Sequence, residues 1–110
     1  MNWKKDAIKH FLECAPAEGC GFLVEKGGNE FFYPCKNIAS HVDEKITFAI
    51  DPLDFAACED SGADILAIIH SHVEGSAEPS EADINNCKLY MIDWYIYSIK
   101  EDNWHFEEAD

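Results

Sequence analysis

Residues 65–83 read ILAIIHSHVEGSAEPSEAD, and this stretch decides how the rest of the chain is interpreted. Its first five residues, 65–69, are apolar and rich in β-branched side chains, a pattern typical of a strand buried on both faces. The run continues directly into His70-Ser71-His72. Because alternate residues of a strand point to the same side, His70 and His72 should project together, with Ser71 opposite.

The flanking sequence predicts helices and strands on both sides of this central strand. Asp51-Pro52 and Ser80 are placed to begin helices, and Gly27-Gly28-Asn29 predicts a hairpin turn. Helices are expected at Asn2–Cys14, from Pro52 to about Ser61, and from Ser80 to about Met91; strands at Cys20–Glu25, Glu30–Cys35, Ile46–Ile50, Ile65–Ile69, Trp94–Lys100 and Asn103–Glu107.

This order of elements predicts an α/β fold in which a mixed β-sheet is flanked by helices. The 110 residues show no repeat and no Pro/Gly/Ser-rich linker, so we expect a single domain over residues 1–110. At 47% hydrophobic residues, the chain can close one core.

The charge balance excludes some classes of partner. Eight basic against 22 acidic residues give a formal net charge of −14, and every basic residue is a lysine. Such a chain repels phosphate backbones and anionic membranes, and it lacks the arginines that read nucleic acids. We therefore expect no nucleic-acid partner. No apolar run is long enough for a membrane span, and we expect a cytoplasmic protein.

The cysteines do not form a recognisable metal or disulfide pattern. They are five in number, none is spaced as C-x-x-C, and their separations fit no zinc ribbon: Cys14, Cys20, Cys35, Cys58 and Cys87. We expect reduced, buried thiols. The histidines outside the central motif, His10, His41 and His105, are expected to be surface or packing residues.

A metal site is predicted by the spacing H-x-H-x₇-S-x₂-D, formed by His70, His72, Ser80 and Asp83. Two imidazoles and one carboxylate with an open fourth position are typical of catalytic zinc. An H-x-H pair alone is weak evidence, and Ser80 with Asp83 could simply begin a helix. Capping does not explain two histidines at the end of the most buried strand.

At this point the sequence resembles the JAMM/MPN (JAB) family of zinc metallopeptidases, whose motif adds an upstream glutamate in an E-x-C-G-x-L context. Here Glu18-Gly19-Cys20-Gly21-Phe22-Leu23 follows the first predicted helix. Residues 37–40 and 48–54 are also similar to the family's linking segment, and the resemblance covers about residues 2–94.

Residues 74–83 are most similar to the bacterial and phage branch, in which the domain forms the N-terminal part of phage tail assembly protein K. An NlpC/P60 cysteine peptidase domain usually follows there, so the resemblance implies such a partner in cis or in trans. The chain departs from the family in having Val73, not proline, after the second histidine. These 110 residues also contain no NlpC/P60 half, so we expect either a stand-alone short form or part of a longer protein.

The resemblance implies a cytidine-deaminase-like architecture and hydrolysis of a peptide or isopeptide bond. It implies one Zn²⁺ per chain, held by His70, His72 and Asp83. Glu18 would carry the proton of the attacking water to the leaving amine, and Ser80 would hydrogen-bond the oxyanion. The substrate it implies is a peptide or protein: a ubiquitin-like or sulfur-carrier protein, a phage tail protein or a cell-wall peptide.

Other interpretations stay open. The domain could be a non-catalytic MPN scaffold or binding module, and Glu18 could be an ordinary surface residue. A nucleotide deaminase is disfavoured, because that class uses H-x-E with P-C-x-x-C, whereas the residue two after His70 is His72 and this chain has no C-x-x-C. Finally, the polar segment Ala39–Phe48 could offer a free strand edge to an extended substrate, or it could be a plain surface loop.

Overall fold

The computed structural model describes residues 2–39 and 49–109. Three helices and five strands are formed: α1 Trp3–Cys14, β1 Cys20–Lys26, β2 Asn29–Cys35, α2 Pro52–Asp60, β3 Asp64–His72, α3 Glu81–Tyr90, β4 Asp93–Ser98 and β5 Asn103–Glu107. Of the predicted strand Ile46–Ile50, residues 46–48 lie outside the described residues, and Ile50 forms an isolated bridge with Asn37.

The strands form one mixed sheet in the order β2-β1-β3-β4-β5. The β1 strand pairs antiparallel with β2 and β3, β3 pairs parallel with β4, and β4 pairs antiparallel with β5. The predicted α/β fold, a mixed sheet flanked by helices, is therefore confirmed. The central position of β3 is what its uninterrupted apolar sequence requires, since a strand with neighbours on both sides is shielded from water.

Local sequence signals set the element boundaries. Gly27 and Gly28 take φ values of 62° and 82° between the paired Lys26 and Asn29, which is the two-residue hairpin turn that glycines favour. The side chain of Asp51 accepts a hydrogen bond from the amide of Leu53 and caps α2. The β4 strand ends at Ser98, two residues before the predicted end.

Both faces of the sheet are covered. On the α1 face, Phe11 packs against buried side chains of the strands, including Leu23, Ile69 and Tyr97. On the α2 face, Cys58 packs with Phe22 and Val24 of β1 and with other buried side chains. Alternate residues of β1 thus enter opposite core clusters, and the sheet is packed on both faces.

All five cysteines are free thiols; four of them are buried, as expected, and Cys14 is half-buried. Burial, with smaller contributions from nearby acidic groups, raises the pKa of the Cys20 thiol to about 12, so this side chain stays protonated near neutral pH. Within residues 2–39 and 49–109, every helix is too short or too polar to cross a membrane.

Candidate metal centre

The two histidines of the motif lie at the C-terminal end of β3. Pairing of His70 with Cys20 of β1 and with Ile96 of β4 fixes this end of the strand from both sides. The ring of His70 is fully buried and packs edge-on against Trp94, at 5.3 Å between centroids. The His72 ring is partly exposed, and its centroid is 5.0 Å from that of His70. The strand therefore presents two imidazoles side by side, as its period predicts.

Asp83 approaches both imidazoles from the first turn of α3. Its Oδ1 lies 3.4 Å from Nε2 of His70, and its Oδ2 lies 3.1 Å from Nε2 of His72. The amide of Asp83 donates to Oγ of Ser80, and the amide of Ser80 donates to Oδ2 of Asp83. The carboxylate that caps the helix is thus also the one that faces the histidines, and the two interpretations of Ser80-x-x-Asp83 do not exclude each other.

Glu18 enters the same group from the segment between α1 and β1. Its Oε1 lies 3.5 Å from Nδ1 of His70, and its side chain is only 18% exposed. Ligand atoms of Glu18, His70 and His72 all lie within 4.8 Å of one another. Oε1 of Glu18 is buried and makes no hydrogen bond with any residue in the described part of the chain. An ordinary surface glutamate would have this oxygen in water.

The glycines beside Glu18 permit its close approach. A Cβ at Gly19 would lie 2.5 Å from Cδ1 of Phe11, and one at Gly21 would lie 2.5 Å from the carbonyl oxygen of Tyr33. Neither position has space for a side chain. The sequence Glu-Gly-Cys-Gly therefore lets this backbone pack between α1 and β2 and brings Glu18 to the end of β3.

The pKa values of His72 and Asp83 are shifted in opposite directions. The bond to Asp83 raises the pKa of His72, against an opposing effect of burial, and the bond to the carbonyl of Ser76 adds to the rise. Burial acts to raise the pKa of Asp83, yet its bonds with His72 and Ser80 and the charge of His70 hold it below its ordinary value. The two shifts favour a proton on His72 and a charge on Asp83, an arrangement in which a metal ion could replace the proton.

A hydrogen bond to the carbonyl of Ser76 sets the orientation of the His72 ring. Its Nδ1 lies 2.9 Å from the carbonyl oxygen of Ser76, and because a carbonyl can only accept, Nδ1 carries a proton. Nε2 is therefore the nitrogen that turns to Asp83, and it is the one available to a metal. Metal-binding histidines commonly donate the N–H of their other ring nitrogen to a carbonyl in this way.

The loop after His72 is anchored to the end of β4. Oγ of Ser98 donates to the carbonyl of Gly75 at 2.5 Å, and the amide of Ile99 donates to the carbonyl of His72 at 3.0 Å. These two hydrogen bonds restrain the loop, which has Val73 at the position where a proline is common in the family that the sequence resembles. Ser98 was not identified from the sequence, because its place opposite His72 follows from the parallel register of β3 and β4.

Sequence reasoning also missed two residues that hold the backbone at Glu18. Nδ2 of Asn37 donates to the carbonyl of Glu18 at 2.7 Å. Oγ of Ser71 accepts from the amide of Gly19 at 2.8 Å. Ser71 was predicted only to point away from the histidines, and its partner 52 residues earlier has no signal in the sequence.

Of the other histidines, His10 and His105 lie outside the group. His10 contacts the carbonyl of Cys35 and packs on Phe32, and His105 pairs with Glu107. These contacts agree with the expected packing and surface roles. His41, like most of the proposed substrate edge Ala39–Phe48, lies outside the described residues.

Two histidines, a helix-capping aspartate and a half-buried glutamate thus meet at one strand end, and the mixed sheet that carries them has a fold of the JAB/MPN type. The chain belongs to the Prok-JAB family, the prokaryotic homologs of the JAB domain, whose family model matches residues 2–108.

Two relatives with named roles match most of the chain. The chain is 37% identical over 97 residues to "Tail tip assembly protein K" of Escherichia phage N15, covering 87% of this chain and 39% of that protein. It is 35% identical over 92 residues to a "Probable TtuB-protein conjugate cleaving protease" of Thermus thermophilus, covering 80% of this chain and 60% of that protein. The chain therefore spans less than two thirds of either relative.

Solved structures share the fold. A protein of Desulfitobacterium hafniense superposes with a TM-score of 0.66 at 23% identity, over 94% of this chain and 76% of that one. A JAB1/MPN domain protein of Archaeoglobus fulgidus gives a TM-score of 0.61 at 16% identity, over 97% of this chain and 84% of that one.

Proposed function

We propose that residues 1–110 form a single zinc-dependent metallopeptidase domain that hydrolyses a peptide or isopeptide bond. The observation that carries the proposal is the meeting of Glu18, His70, His72 and Asp83 at one end of β3. These residues come from three separate segments of the chain. A purely structural core would not gather two carboxylates and two imidazoles there, because each buried polar group has a desolvation cost.

The residues fit a zinc ion. Two imidazoles and one carboxylate are the usual protein ligands of catalytic zinc, which keeps one position open. His70, His72 and Asp83 would hold the ion. The hydrogen bond from Nδ1 of His72 to the carbonyl of Ser76 turns Nε2 toward the place where these three side chains meet. When bound, zinc polarises a carbonyl and makes a water molecule more acidic. The buried Oε1 of Glu18, without a hydrogen bond among described residues, is an acceptor with spare capacity at the same place.

Glu18 would take a proton from the attacking water and deliver it to the leaving nitrogen. Its carboxylate lies beside the imidazole of His70 and is largely shielded from solvent. It is therefore placed to accept a proton from a water molecule bound between Glu18 and the histidines. Ser80 would donate a hydrogen bond to the oxygen that gains charge. Its Oγ accepts from the amide of Asp83, which leaves the hydroxyl proton for this use.

The proposed substrate is a protein or peptide. The Thermus thermophilus relative, by its name, cleaves a protein conjugate, and the phage N15 relative is a tail tip assembly protein. A folded or conjugated protein is therefore the first class to test, with ubiquitin-like proteins and phage tail proteins among the candidates. The net charge of −14 favours substrates that are neutral or basic near the cleaved bond.

The test combines metal content with cleavage. Elemental analysis of the purified protein should give about one zinc per chain, and His70→Ala or His72→Ala should remove it. An internally quenched peptide library should be cleaved by the zinc-loaded protein and not after chelation. Glu18→Gln should keep zinc and lose about 10²-fold or more in rate.

The contrary results are informative. Full zinc content in a His70→Ala/His72→Ala double variant would refute the metal site, and loss of zinc in Glu18→Gln would make Glu18 a ligand. Zinc binding without cleavage of any peptide or conjugate would favour the non-catalytic MPN scaffold.

A further inference from the structure

The peptide group that joins Glu18 to Gly19 is held at both of its polar atoms by side chains. Its carbonyl accepts from Nδ2 of Asn37 at 2.7 Å, and its N–H donates to Oγ of Ser71 at 2.8 Å. The next carbonyl, that of Gly19, accepts from the amide of Ser71 at 3.0 Å. Three hydrogen bonds thus fix the backbone from which the Glu18 side chain leaves.

Burial and further hydrogen bonds hold the side chains of Ser71 and Asn37 in place. Ser71 is fully buried and lies between His70 and His72, so its bonds tie the Glu18 backbone to the strand that carries the two imidazoles. Asn37 uses its other polar atom elsewhere: its Oδ1 accepts from the amides of Ala39 and Ala49, at 2.9 and 3.0 Å. The same side chain therefore connects Ala39 and Ala49, the residues on either side of segment 40–48, to the peptide group of Glu18.

The carboxylate of Glu18 needs this support. Its Oε1 has no hydrogen bond from a described residue that would set its direction, and a glutamate side chain has three rotatable bonds. Its distance from His70 must then follow from where its backbone lies. Small misplacements of a reacting group can reduce rates by about 10²-fold, so backbone restraint has a kinetic value.

We infer that Asn37 and Ser71 are positioning residues that set Glu18 against His70 and His72. They touch neither substrate nor metal in this role. The inference rests on the proposed function, in which Glu18 transfers the proton, and it extends the site to two residues outside the H-x-H-x₇-S-x₂-D motif.

Asn37→Asp separates the two uses of Asn37. An aspartate keeps an oxygen for the amides of Ala39 and Ala49, but it replaces the donor to Glu18 by a second acceptor. We expect unchanged zinc content, a kcat about 10-fold lower and a KM within about twofold of the parent value. Asn29→Asp, which adds the same charge at the hairpin turn far from the site, should leave both constants unchanged.

A double variant decides whether Asn37 acts through Glu18. In the Glu18→Gln background, Asn37→Asp should change kcat by less than about twofold, because the group that it positions no longer transfers a proton. An equal loss in both backgrounds, or a loss confined to KM, would overturn the inference and assign Asn37 to substrate binding.

A second measurement needs no activity, so it distinguishes failure of the inference from failure of the proposed function. Amide hydrogen exchange followed by NMR should show slow exchange at Gly19. Ser71→Ala should accelerate it by about 10-fold or more, and Ser71→Thr, which keeps the hydroxyl, should restore it. In Asn37→Asp, the amides of Ala39 and Ala49 should stay protected while the Gly19 resonance shifts. Unchanged exchange at Gly19 in a folded Ser71→Ala variant, or an unchanged Gly19 resonance in Asn37→Asp, would overturn the inference even in an inactive protein.

Discussion

Ser80 and Asp83 cap each other at the start of α3: the amide of each donates to the side chain of the other, at 2.9 and 3.1 Å. Oδ2 of Asp83, which accepts from the Ser80 amide, is also 3.1 Å from Nε2 of His72. One carboxylate oxygen therefore serves both the helix start and the candidate metal group. Its direction is fixed by the cap before any metal binds, and this makes the two functions separable by mutation.

Asp83→Asn should separate capping from metal binding. An asparagine keeps an oxygen for the Ser80 amide but lacks the charge, so we expect α3 to persist and zinc affinity to fall by about 10²-fold or more. Asp83→Ala should lose zinc and also destabilise the protein by about 1 kcal/mol through the lost cap. Zinc titration and thermal unfolding followed by circular dichroism measure the two effects. Glu81→Gln, in the same helical turn but exposed, is the control and should change neither.

Zinc binding should release a proton from His72. The pKa of His72 is raised above its ordinary 6.5, chiefly by the bond to Asp83, so near pH 6.5 the proton and the metal compete for the same ring. Affinity for zinc should therefore fall as the pH is lowered through that raised pKa. Calorimetry at pH 6.5 in two buffers of different ionisation enthalpy should show proton release, and equal heats in both buffers would contradict it.

The same pair makes the stability of the metal-free protein depend on pH. The contribution of His72 is fully present below 6.5 and is lost as pH rises through its raised pKa. That of Asp83 is present above 3.8 and is lost as pH falls through its lowered pKa. Between these limits the pair stabilises the fold most. Chelated protein should thus lose midpoint temperature from pH 6 to pH 9, and a His72→Gln variant should lose less over that range.

Gly19→Ala tests the close packing that brings Glu18 to β3. The added Cβ would lie 2.5 Å from Cδ1 of Phe11, a fully buried ring that has little space to move. Overpacking of this kind costs about 1–3 kcal/mol. Gly75→Ala is the matched control, because a Cβ there meets nothing within 4 Å, and we expect a change within about 0.5 kcal/mol. Equal stability of the two variants in urea would show that α1 shifts to make room.

The sheet and the meeting of the histidines with Asp83 could be predicted because each depends on a short-range pattern, while metal binding there stays a prediction. The period of β3 places His70 and His72 on one side, and the cap signature places Asp83 in the first turn of a helix. The resemblance to the JAMM/MPN family was confirmed by the match to residues 2–108, and it supplied Glu18, which no local pattern connects to the histidines.

What could not be predicted depends on contacts between residues far apart in the chain. The bond from Ser71 to Gly19 spans 52 residues, and that from Asn37 to Glu18 spans 19. A serine in a strand and an asparagine after one carry no sign of their partners in a single sequence. The proposed substrate edge at Ala39–Phe48 stays a prediction, since residues 40–48 lie outside the described residues. Proline substitutions across 42–47 in a folded, zinc-loaded protein would test it.

The cysteines should have no part in metal binding. Cys20 and Cys35 are buried, and burial above all raises the pKa of both thiols, that of Cys20 to about 12. A raised pKa keeps a thiol protonated, and a protonated thiol is a poor nucleophile and a poor metal ligand. Cys14 alone is partly exposed, so iodoacetamide at pH 8 should modify it first and the four buried thiols only after unfolding. The alkylated protein should keep its full zinc content. Cys14→Ser, alkylated in parallel, controls for modification at other sites and should keep its zinc as well. Loss of zinc in Cys14→Ser before any alkylation would contradict the prediction and make Cys14 a ligand.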